Sequence, residues 1–317
     1  MRHPKKSGDF SATPPASLAV KVGGIDLKGP VMAASGTFGY GTEVPLLDRR
    51  KLGGMVSKGI FLRPRPGTPP ARIVETPSGM LNAIGLQGPG VEALIRDYAP
   101  LWASWDFPVL VNINGESADE YGELASRLDA VPGVAGFEIN VSCPNVDAGG
   151  MYFGNDPRAA AAVTEAVRRR TTLPVWVKLT PAVTDIGVIA RAVEEAGADA
   201  LTCINTLVGM SIDLHVFKPR LSFRTGGLSG PAIRPVALHL AHQAARAVRI
   251  PVVGVGGIAS AQDALEFLVA GCRAVQVGTA TFVDPQAIAR IHDGIAEFCA
   301  SRGYTSVDDI PRYLPRD

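Results

Sequence analysis

Residues 252–279 read VVGVGGIASAQDALEFLVAGCRAVQVGT and contain two apolar runs separated by a helical pattern. The runs 252–255 and 274–277 are almost entirely apolar, which is typical of parallel strands covered on both faces. Between them, residues 261–270 carry apolar side chains at helical spacing and stop before Gly271, a frequent helix terminator. The stretch therefore predicts a strand, a helix and a second, parallel strand.

The same pattern recurs towards the N-terminus. Further apolar runs, bounded by glycine, proline or polar residues, lie at 31–34, 54–57, 109–113, 136–141, 175–179 and 200–204. Helical patterns lie at 118–128, 156–170, 185–196 and 233–248. Strands alternating with helices predict an α/β fold, a closed (β/α)₈ TIM barrel, with a doubly wound sheet as the alternative. Two connections, 58–108 and 205–251, are too long for simple crossovers and predict inserted loops at the C-terminal face.

The 317 residues suit one barrel domain. We predict a disordered lead-in over 1–16, a single barrel domain over 17–303 and a C-terminal tail over 304–317. Residues 18–27 have the pattern of a hairpin that caps the bottom of the barrel. The N-terminus lacks the apolar core of a secretory signal, and no apolar run is long enough to span a membrane, so we expect no membrane association.

Charge and cysteine content restrict the class of partner. With 31 basic and 30 acidic residues, the net charge of +1 gives no strong field for nucleic acid or an anionic membrane, which favours a small-molecule partner. The four cysteines include no C-x-x-C pair, a pattern typical of reduced thiols in a cytoplasmic protein. His239 and His242 lie three residues apart, but no third ligand accompanies them, so we predict no metal site.

Polar residues and glycines recur where the predicted strands end. In strand order they are Ser35 and Thr37, Ser57 and Lys58, Asn112 and Asn114, Asn140 and Ser142, Lys178, Asn205 and Thr206, Gly256 and Gly257, and Gly278 and Thr279. Any one of them is explained by the needs of a loop. A barrel, however, gathers the carboxyl ends of its strands at one mouth, which is where barrel enzymes have their active sites.

The glycines after the last two strands predict a phosphate site. Backbone N–H groups at such loops form an anion nest, and the loops after strands seven and eight of barrels commonly bind phosphate. The stretch from Gly254 to Ala259 also matches a dinucleotide fingerprint, but no acidic residue follows at the required distance and no room remains for a nucleotide-binding domain. The phosphate of a mononucleotide such as FMN is the better interpretation.

Two lysines and one cysteine are candidates for chemistry. Lys58 and Lys178 end strands, where they either face an anion or the ring of a flavin, or extend to solvent at the rim. Cys143 follows a strand end in a polar, glycine-rich stretch, which makes it the candidate catalyst. Cys203, Cys272 and Cys299 lie in or beside apolar stretches and are predicted to be core residues.

Three short motifs give the sequence a resemblance to class 1 dihydroorotate dehydrogenases. The resemblance covers about residues 18–302 and is carried by NVSCPN at 140–145, NAIGLQ at 82–87 and GLSGPA at 227–232. It implies oxidation of dihydroorotate to orotate in pyrimidine biosynthesis, with Cys143 as the base that removes the C5 proton and hydride transfer from C6 to N5 of FMN. The cysteine distinguishes class 1 from the membrane-associated class 2 enzymes, which use serine.

The resemblance also implies the binding residues. For FMN they are Ser35, Gly36, Lys58, Gly59, Asn112, Asn140, Lys178, Ile204, Gly230, Gly256, Gly257, Gly278 and Thr279. For the substrate they are Lys58, Asn82, Ala83, Ile84, Gly85, Leu86, Asn140, Asn205 and Thr206. Asparagine suits this purpose because its amide offers a donor and an acceptor, as the edge of a pyrimidine does.

The wording of the second and third motifs is most similar to subclass 1B. That subclass implies a homodimer together with an electron-transfer subunit, which carries FAD and a 2Fe–2S cluster and passes electrons to NAD⁺. The alternatives are a stand-alone 1A-like enzyme that reduces fumarate, another flavin-dependent pyrimidine oxidoreductase, a non-redox phosphate-binding barrel, and a barrel without catalytic activity.

Overall fold

A closed barrel forms the centre of the protein. The computed structural model describes residues 16–43, 48–142, 144–145 and 151–313, so most of the predicted lead-in and the last four residues of the predicted tail lie outside it. The barrel strands are β1 (Val31–Ala33), β2 (Gly54–Val56), β3 (Val109–Ile113), β4 (Gly136–Asn140), β5 (Val175–Leu179), β6 (Ala200–Cys203), β7 (Val252–Val255) and β8 (Ala274–Val277). Each strand pairs in parallel with the next, and β8 pairs with β1 to close the sheet. The predicted TIM barrel is confirmed, and the doubly wound alternative is wrong.

The strand bounds agree with the prediction at β3, β5, β7 and β8, whereas β1, β2, β4 and β6 end one residue earlier. Three of the residues beyond these ends still donate one ladder hydrogen bond. Ala34 N donates to Val277 O at 2.9 Å, Ser57 N donates to Leu110 O at 2.9 Å, and Ile204 N donates to Val255 O at 2.9 Å. The apolar pattern therefore extends one residue past the strand, into the turn that begins each loop.

Six helices of nine or more residues lie within the described ranges. They are α1 (Ala118–Leu128), α2 (Pro157–Arg168), α3 (Ile186–Glu195), α4 (Arg234–Ala247), α5 (Ala261–Val269) and α6 (Ala287–Ser301). The predicted bounds of α2 and α3 included Asp156 and Asp185, whose side chains cap the helices by accepting from the amides of Arg158 and Gly187 at 2.8 Å. We did not predict α6. Shorter helical turns lie at Arg49–Lys51, Val91–Ala93, Leu94–Tyr98, Ala99–Trp102, Phe153–Asn155, Pro231–Ile233, Ala280–Val283 and Val307–Asp309.

The N-terminal hairpin closes the bottom of the barrel, as predicted. Its strands, Val20–Val22 and Ile25–Leu27, are antiparallel and meet at Gly23, which has a φ of +46°. Gly23 O accepts from Trp176 Nε1 at 3.3 Å. The chain returns to this end after α6, where Val307 N donates to Ser17 O at 2.9 Å.

The two long insertions form one antiparallel sheet. Its strands lie in the order Leu207–Gly209, Gly226–Ser229, Gly79–Asn82 and Ile73–Thr76. Residues 58–108 therefore contribute the third and fourth strands, and residues 205–251 contribute the first and second. Two smaller pairs join Ile212–Asp213 to Lys218–Pro219 and Pro144–Asn145 to Met151–Tyr152. Over the described part of the chain, no helix has the length and apolar character needed to cross a membrane.

The core between the barrel and its helices contains the three cysteines that we predicted there. Cys203, Cys272 and Cys299 are all buried. Burial raises the pKa of the Cys272 thiol to about 12 and raises the pKa of Cys203 and of Cys299 above their usual values. These thiols therefore stay protonated at neutral pH, and their role is packing.

Candidate active site

The barrel interior contains a buried carboxylate beneath the C-terminal mouth. Glu138, in the middle of β4, has no solvent exposure. Its Oε1 accepts from Asn112 Nδ2 at 2.9 Å, and its Oε2 accepts from Thr202 Oγ1 at 2.9 Å and from Gln276 Nε2 at 2.8 Å. Side chains from four strands, β3, β4, β6 and β8, thus meet at one carboxylate, which satisfies the rule that buried charges need partners.

A chain of asparagine amides leads from Glu138 to the mouth. Asn114 Nδ2 donates to Asn112 Oδ1 at 3.0 Å, Asn140 Nδ2 donates to Asn114 Oδ1 at 2.7 Å, and Asn205 Nδ2 donates to Asn140 Oδ1 at 3.1 Å. Each amide donates in the direction of Glu138, so the acceptor-only carboxylate sets the orientation of all four. The barrel therefore presents fixed amide donors and acceptors at its mouth.

A lysine lies beside the same carboxylate. Lys178 at the end of β5 is 6% exposed, and its Nζ is 3.8 Å from Glu138 Oε1. The same Nζ donates to Ser35 Oγ at 3.1 Å, which connects the end of β1 to this group. Because Lys178 is buried with a carboxylate partner, the alternative in which its ammonium extends to solvent at the rim is wrong.

The second lysine is in a different environment. Lys58 is half-buried after β2, and its ammonium has no ion pair or hydrogen bond within the described ranges. Burial lowers the pKa of Lys58 from its usual value, Glu43 opposes this shift, and Arg72 reinforces it. A bound anion stabilises the charged form of such a half-buried ammonium, because it replaces the water that burial removed.

Glycines form a cradle between the ends of β7 and β8. Gly257 has a φ of +75°, and a Cβ there would lie 2.8 Å from Gly230 O. Thr279 Oγ1 donates to Ser229 Oγ at 2.8 Å, which joins the end of β8 to the inserted sheet. Among the described residues, the amide N–H groups of Gly257, Gly278 and Thr279 make no hydrogen bond. These donors have the character of an anion nest.

The donor set fits a phosphate-bearing flavin. The nest would hold the phosphate through its amide groups, and Lys178 with Ser35 and Asn112 would offer polar contacts to the ring. Gly278 belongs to the open side of the cradle, since a Cβ there would be no closer than 3.5 Å to any neighbour. The described residues contain no group of three or more His, Cys, Asp or Glu side chains that could hold a metal ion.

The inserted sheet brings the predicted substrate residues to the rim. Asn82 Nδ2 donates to Gly227 O at 3.1 Å, and a Cβ on Gly227 would lie 2.3 Å from Thr206 Oγ1. Asn82 and Thr206 therefore flank the same strand. The backbone of residues 83–85 contacts residues 67–72 of the same insertion.

Two of the predicted FMN residues differ in their surroundings. Ile204 is buried at the end of β6, where it continues the apolar lining of the barrel. Gly36, after β1, is open, because a Cβ added there would meet no atom within 4 Å. Space for a ligand is therefore available above β1.

Cys143 lies outside the described residues. The residues just before it are placed by the asparagine chain, because Ser142 N donates to Asn140 Oδ1 at 3.1 Å. Tyr121 Oη also donates to Asn140 O at 2.7 Å. The segment that leads to Cys143 is thus anchored to the residues that form the mouth of the barrel.

Three interior residues were missed in the sequence. Glu138, Thr202 and Gln276 lie within strands, whereas the predicted site residues on the barrel strands lie at or after the strand ends. The signal was present in GFEIN at 136–140, where a charged residue interrupts an apolar run. Glutamate is rarely buried without a partner, so its position predicts polar groups opposite it.

The sequence is similar to one enzyme family over most of its length. Residues 17–299 match the family model described as dihydroorotate dehydrogenase. A relative from Geotalea daltonii is 54% identical over 294 residues, 92% of this chain and 96% of the relative. A relative from Desulforamulus reducens is 53% identical over 295 residues, 93% of this chain and 97% of the relative. Both are named dihydroorotate dehydrogenase B (NAD(+)), catalytic subunit. The chain therefore belongs to the dihydroorotate dehydrogenase family.

Proposed function

We propose that this protein oxidises dihydroorotate to orotate in pyrimidine biosynthesis as an FMN-dependent dihydroorotate dehydrogenase. The observation that carries the proposal is one barrel mouth that combines an anion nest with a directed chain of asparagine amides. The nest suits the phosphate of FMN, and the amides suit the alternating donors and acceptors of a pyrimidine ring. Family membership supports the same substrate.

The substrate residues have separate tasks in this proposal. Asn140 and Asn205 bind the edge of the ring, together with Asn82 and Thr206 from the rim. Lys58 binds the carboxylate of dihydroorotate. Its half-buried ammonium has no ion pair with any described residue, so the substrate would supply the opposite charge. The backbone of residues 83–86 borders the ring from the inserted sheet. Cys143 removes the proton from C5.

FMN has its own set of residues. Gly230, Gly256, Gly257, Gly278 and Thr279 surround its phosphate, and Ser35, Gly36, Lys58, Gly59, Asn112, Asn140, Lys178 and Ile204 border the rest. Bound FMN supplies the acceptor for the hydride that leaves C6 of dihydroorotate. Lys178 holds positive charge near the ring and Glu138 fixes its position, so the electrostatic field at the acceptor is set before substrate binds.

The nest can be tested at Gly278. We expect Gly278→Val to fold but to purify with little FMN, because a branched side chain obstructs the approach of phosphate to the backbone while its Cβ has 3.5 Å of clearance. The absorbance of bound flavin per chain measures the loss. The matched control is Gly29→Val at the bottom of the barrel, where the Cβ clearance is 3.4 Å. Full flavin content in Gly278→Val would show that the phosphate binds elsewhere.

We also propose that the chain works with a second subunit. The names of its relatives specify a catalytic subunit of an NAD⁺-linked enzyme. NAD⁺ reduction then requires a partner that carries FAD and a 2Fe–2S cluster, and the barrel chain itself forms a homodimer. The support within this chain is the single flavin site among its described residues.

One experiment tests both the reaction and the partner. Under anaerobic conditions, dihydroorotate should bleach the visible flavin band of the isolated chain. In turnover assays, the isolated chain should use artificial dyes or oxygen as the electron acceptor. NAD⁺ should be reduced only after the partner subunit is added, and fumarate should be a poor acceptor. Failure to bleach the flavin would refute dihydroorotate oxidation. Rapid reduction of fumarate, or NAD⁺ reduction by the isolated chain, would instead refute the partner and leave the first half-reaction intact.

A further inference from the structure

Loop 82–87 has a backbone that needs external support. Gly85 and Leu86 have φ values of +70° and +54°, and the second is a left-handed conformation for a branched residue. Both residues are exposed, so burial in the core does not hold them. A loop in this conformation keeps its shape only when its surroundings determine it.

Segment 65–72 provides that support through its backbone and one threonine. Thr68 N donates to Ile84 O at 3.0 Å, and Thr68 Oγ1 donates to Ala83 O. In the opposite direction, Ala83 N donates to Arg72 O at 2.7 Å. A Cβ on Gly85 would lie 2.5 Å from Thr68 Cγ2, so the two segments are in close contact.

The guanidinium of Arg72 joins segment 65–72 to the end of loop 82–87 through three hydrogen bonds. Its Nη1 donates to Gln87 Oε1 at 2.6 Å, its Nη2 donates to Pro66 O at 3.2 Å, and its Nε donates to Thr68 O. One planar group therefore joins the last residue of the loop to two carbonyls of the supporting segment. Lysine has a single ammonium and cannot reproduce this fork.

We propose that Arg72 is a positioning residue that holds loop 82–87 in the conformation which receives dihydroorotate. The inference rests on the proposed function, because it is that function which assigns the loop to the substrate. Arg72 is not one of the residues proposed to bind FMN or dihydroorotate. It acts through Thr68 and Gln87 rather than by contact with the ring.

The first test compares Arg72→Lys, Arg72→Gln and wild type in the FMN-loaded enzyme. Orotate titration of the flavin spectrum gives Kd, and stopped-flow flavin reduction gives the rate at saturating dihydroorotate. We expect both variants to raise Kd and KM about 10–100-fold, the scale for lost hydrogen bonds of a charged group, with a rate at saturation within about threefold of wild type.

Controls separate positioning from folding. Arg63 lies nearby, is exposed and makes no hydrogen bond or ion pair within the described ranges, so Arg63→Lys and Arg63→Gln should behave as wild type. Thr68→Val removes the hydrogen bond from Thr68 Oγ1 to Ala83 O without changing charge, and it should raise Kd for orotate. If the Arg72 variants fold poorly, Thr68→Val tests the support of loop 82–87 in their place.

The outcomes are distinguishable from failure of the proposed function. If wild type neither binds orotate nor is reduced by dihydroorotate, the proposed function fails and the loop has no assigned ligand. If wild type does both, an unchanged Kd in Arg72→Lys and in Thr68→Val overturns the positioning role.

Discussion

Replacement of Cys143 by alanine should slow the reduction of bound FMN by dihydroorotate at least about 10²-fold, the usual scale for loss of a general base. The C5–H bond has no other proposed proton acceptor, because the polar groups proposed to face the substrate are amides, hydroxyls and lysines. Orotate binding and flavin content should stay near wild type, since neither uses the thiol. Stopped-flow absorbance under anaerobic conditions measures the rate, and orotate titration measures the binding.

Two variants make the Cys143 test specific. Cys143→Ser should keep part of the activity and shift it to higher pH, because a hydroxyl is a weaker acid than a thiol. Cys299→Ala is the matched control, since Cys299 is buried in α6, away from the strand ends, and should reduce flavin normally. Near-normal flavin reduction in Cys143→Ala would show that another group takes the proton.

Replacement of Glu138 by leucine should lower the free energy of unfolding by about 3–5 kcal/mol, the usual cost of removing one partner of a buried ion pair. The substitution leaves Lys178 buried without its carboxylate and deprives Asn112, Thr202 and Gln276 of their acceptor. Unpaired buried donors are costly because water cannot replace the lost partner. Denaturant unfolding with excess FMN in all samples measures the change.

A control variant and a compensating second substitution test the prediction for Glu138. Glu195 is exposed on α3, and Glu195→Leu should stay within about 0.5 kcal/mol of wild type. The double variant Glu138→Leu with Lys178→Met should regain part of the lost stability, because no unpaired charge remains. A loss below about 1 kcal/mol in Glu138→Leu would contradict the role of this carboxylate as the centre of the barrel interior.

Much of the barrel could be predicted because its signals are local. Eight apolar runs and most of the helices between them follow from spacing, since a parallel strand covered on both faces needs apolar residues throughout. The strand-end positions of Lys178, Asn112, Asn140 and Asn205 followed once the barrel was assumed. The errors at strand and helix ends are small and have local causes, such as the inclusion of the capping residue Asp156 in its helix.

The pairing of the two insertions, 58–108 and 205–251, in one sheet could not be predicted from local signals. Gly227 pairs with Asn82, 145 residues away, and loop lengths alone do not specify such a partner. The contacts of Arg72 with Pro66 and Gln87 depend on the same folded sheet. The two insertions pair at the mouth of the closed barrel, where the ends of its strands come together.

The sequence by itself determined the barrel, the mouth that carries its polar residues and the family to which the chain is similar. Those features depend on periodicity and on short motifs, each of which is complete within a few residues. Only the tertiary structure decided that Glu138 directs the asparagine amides, that Lys178 is paired with a carboxylate, and that Arg72 supports loop 82–87. The orientation of an amide and the pairing of a charge depend on which partners surround it, and these partners come from strands far apart in the chain.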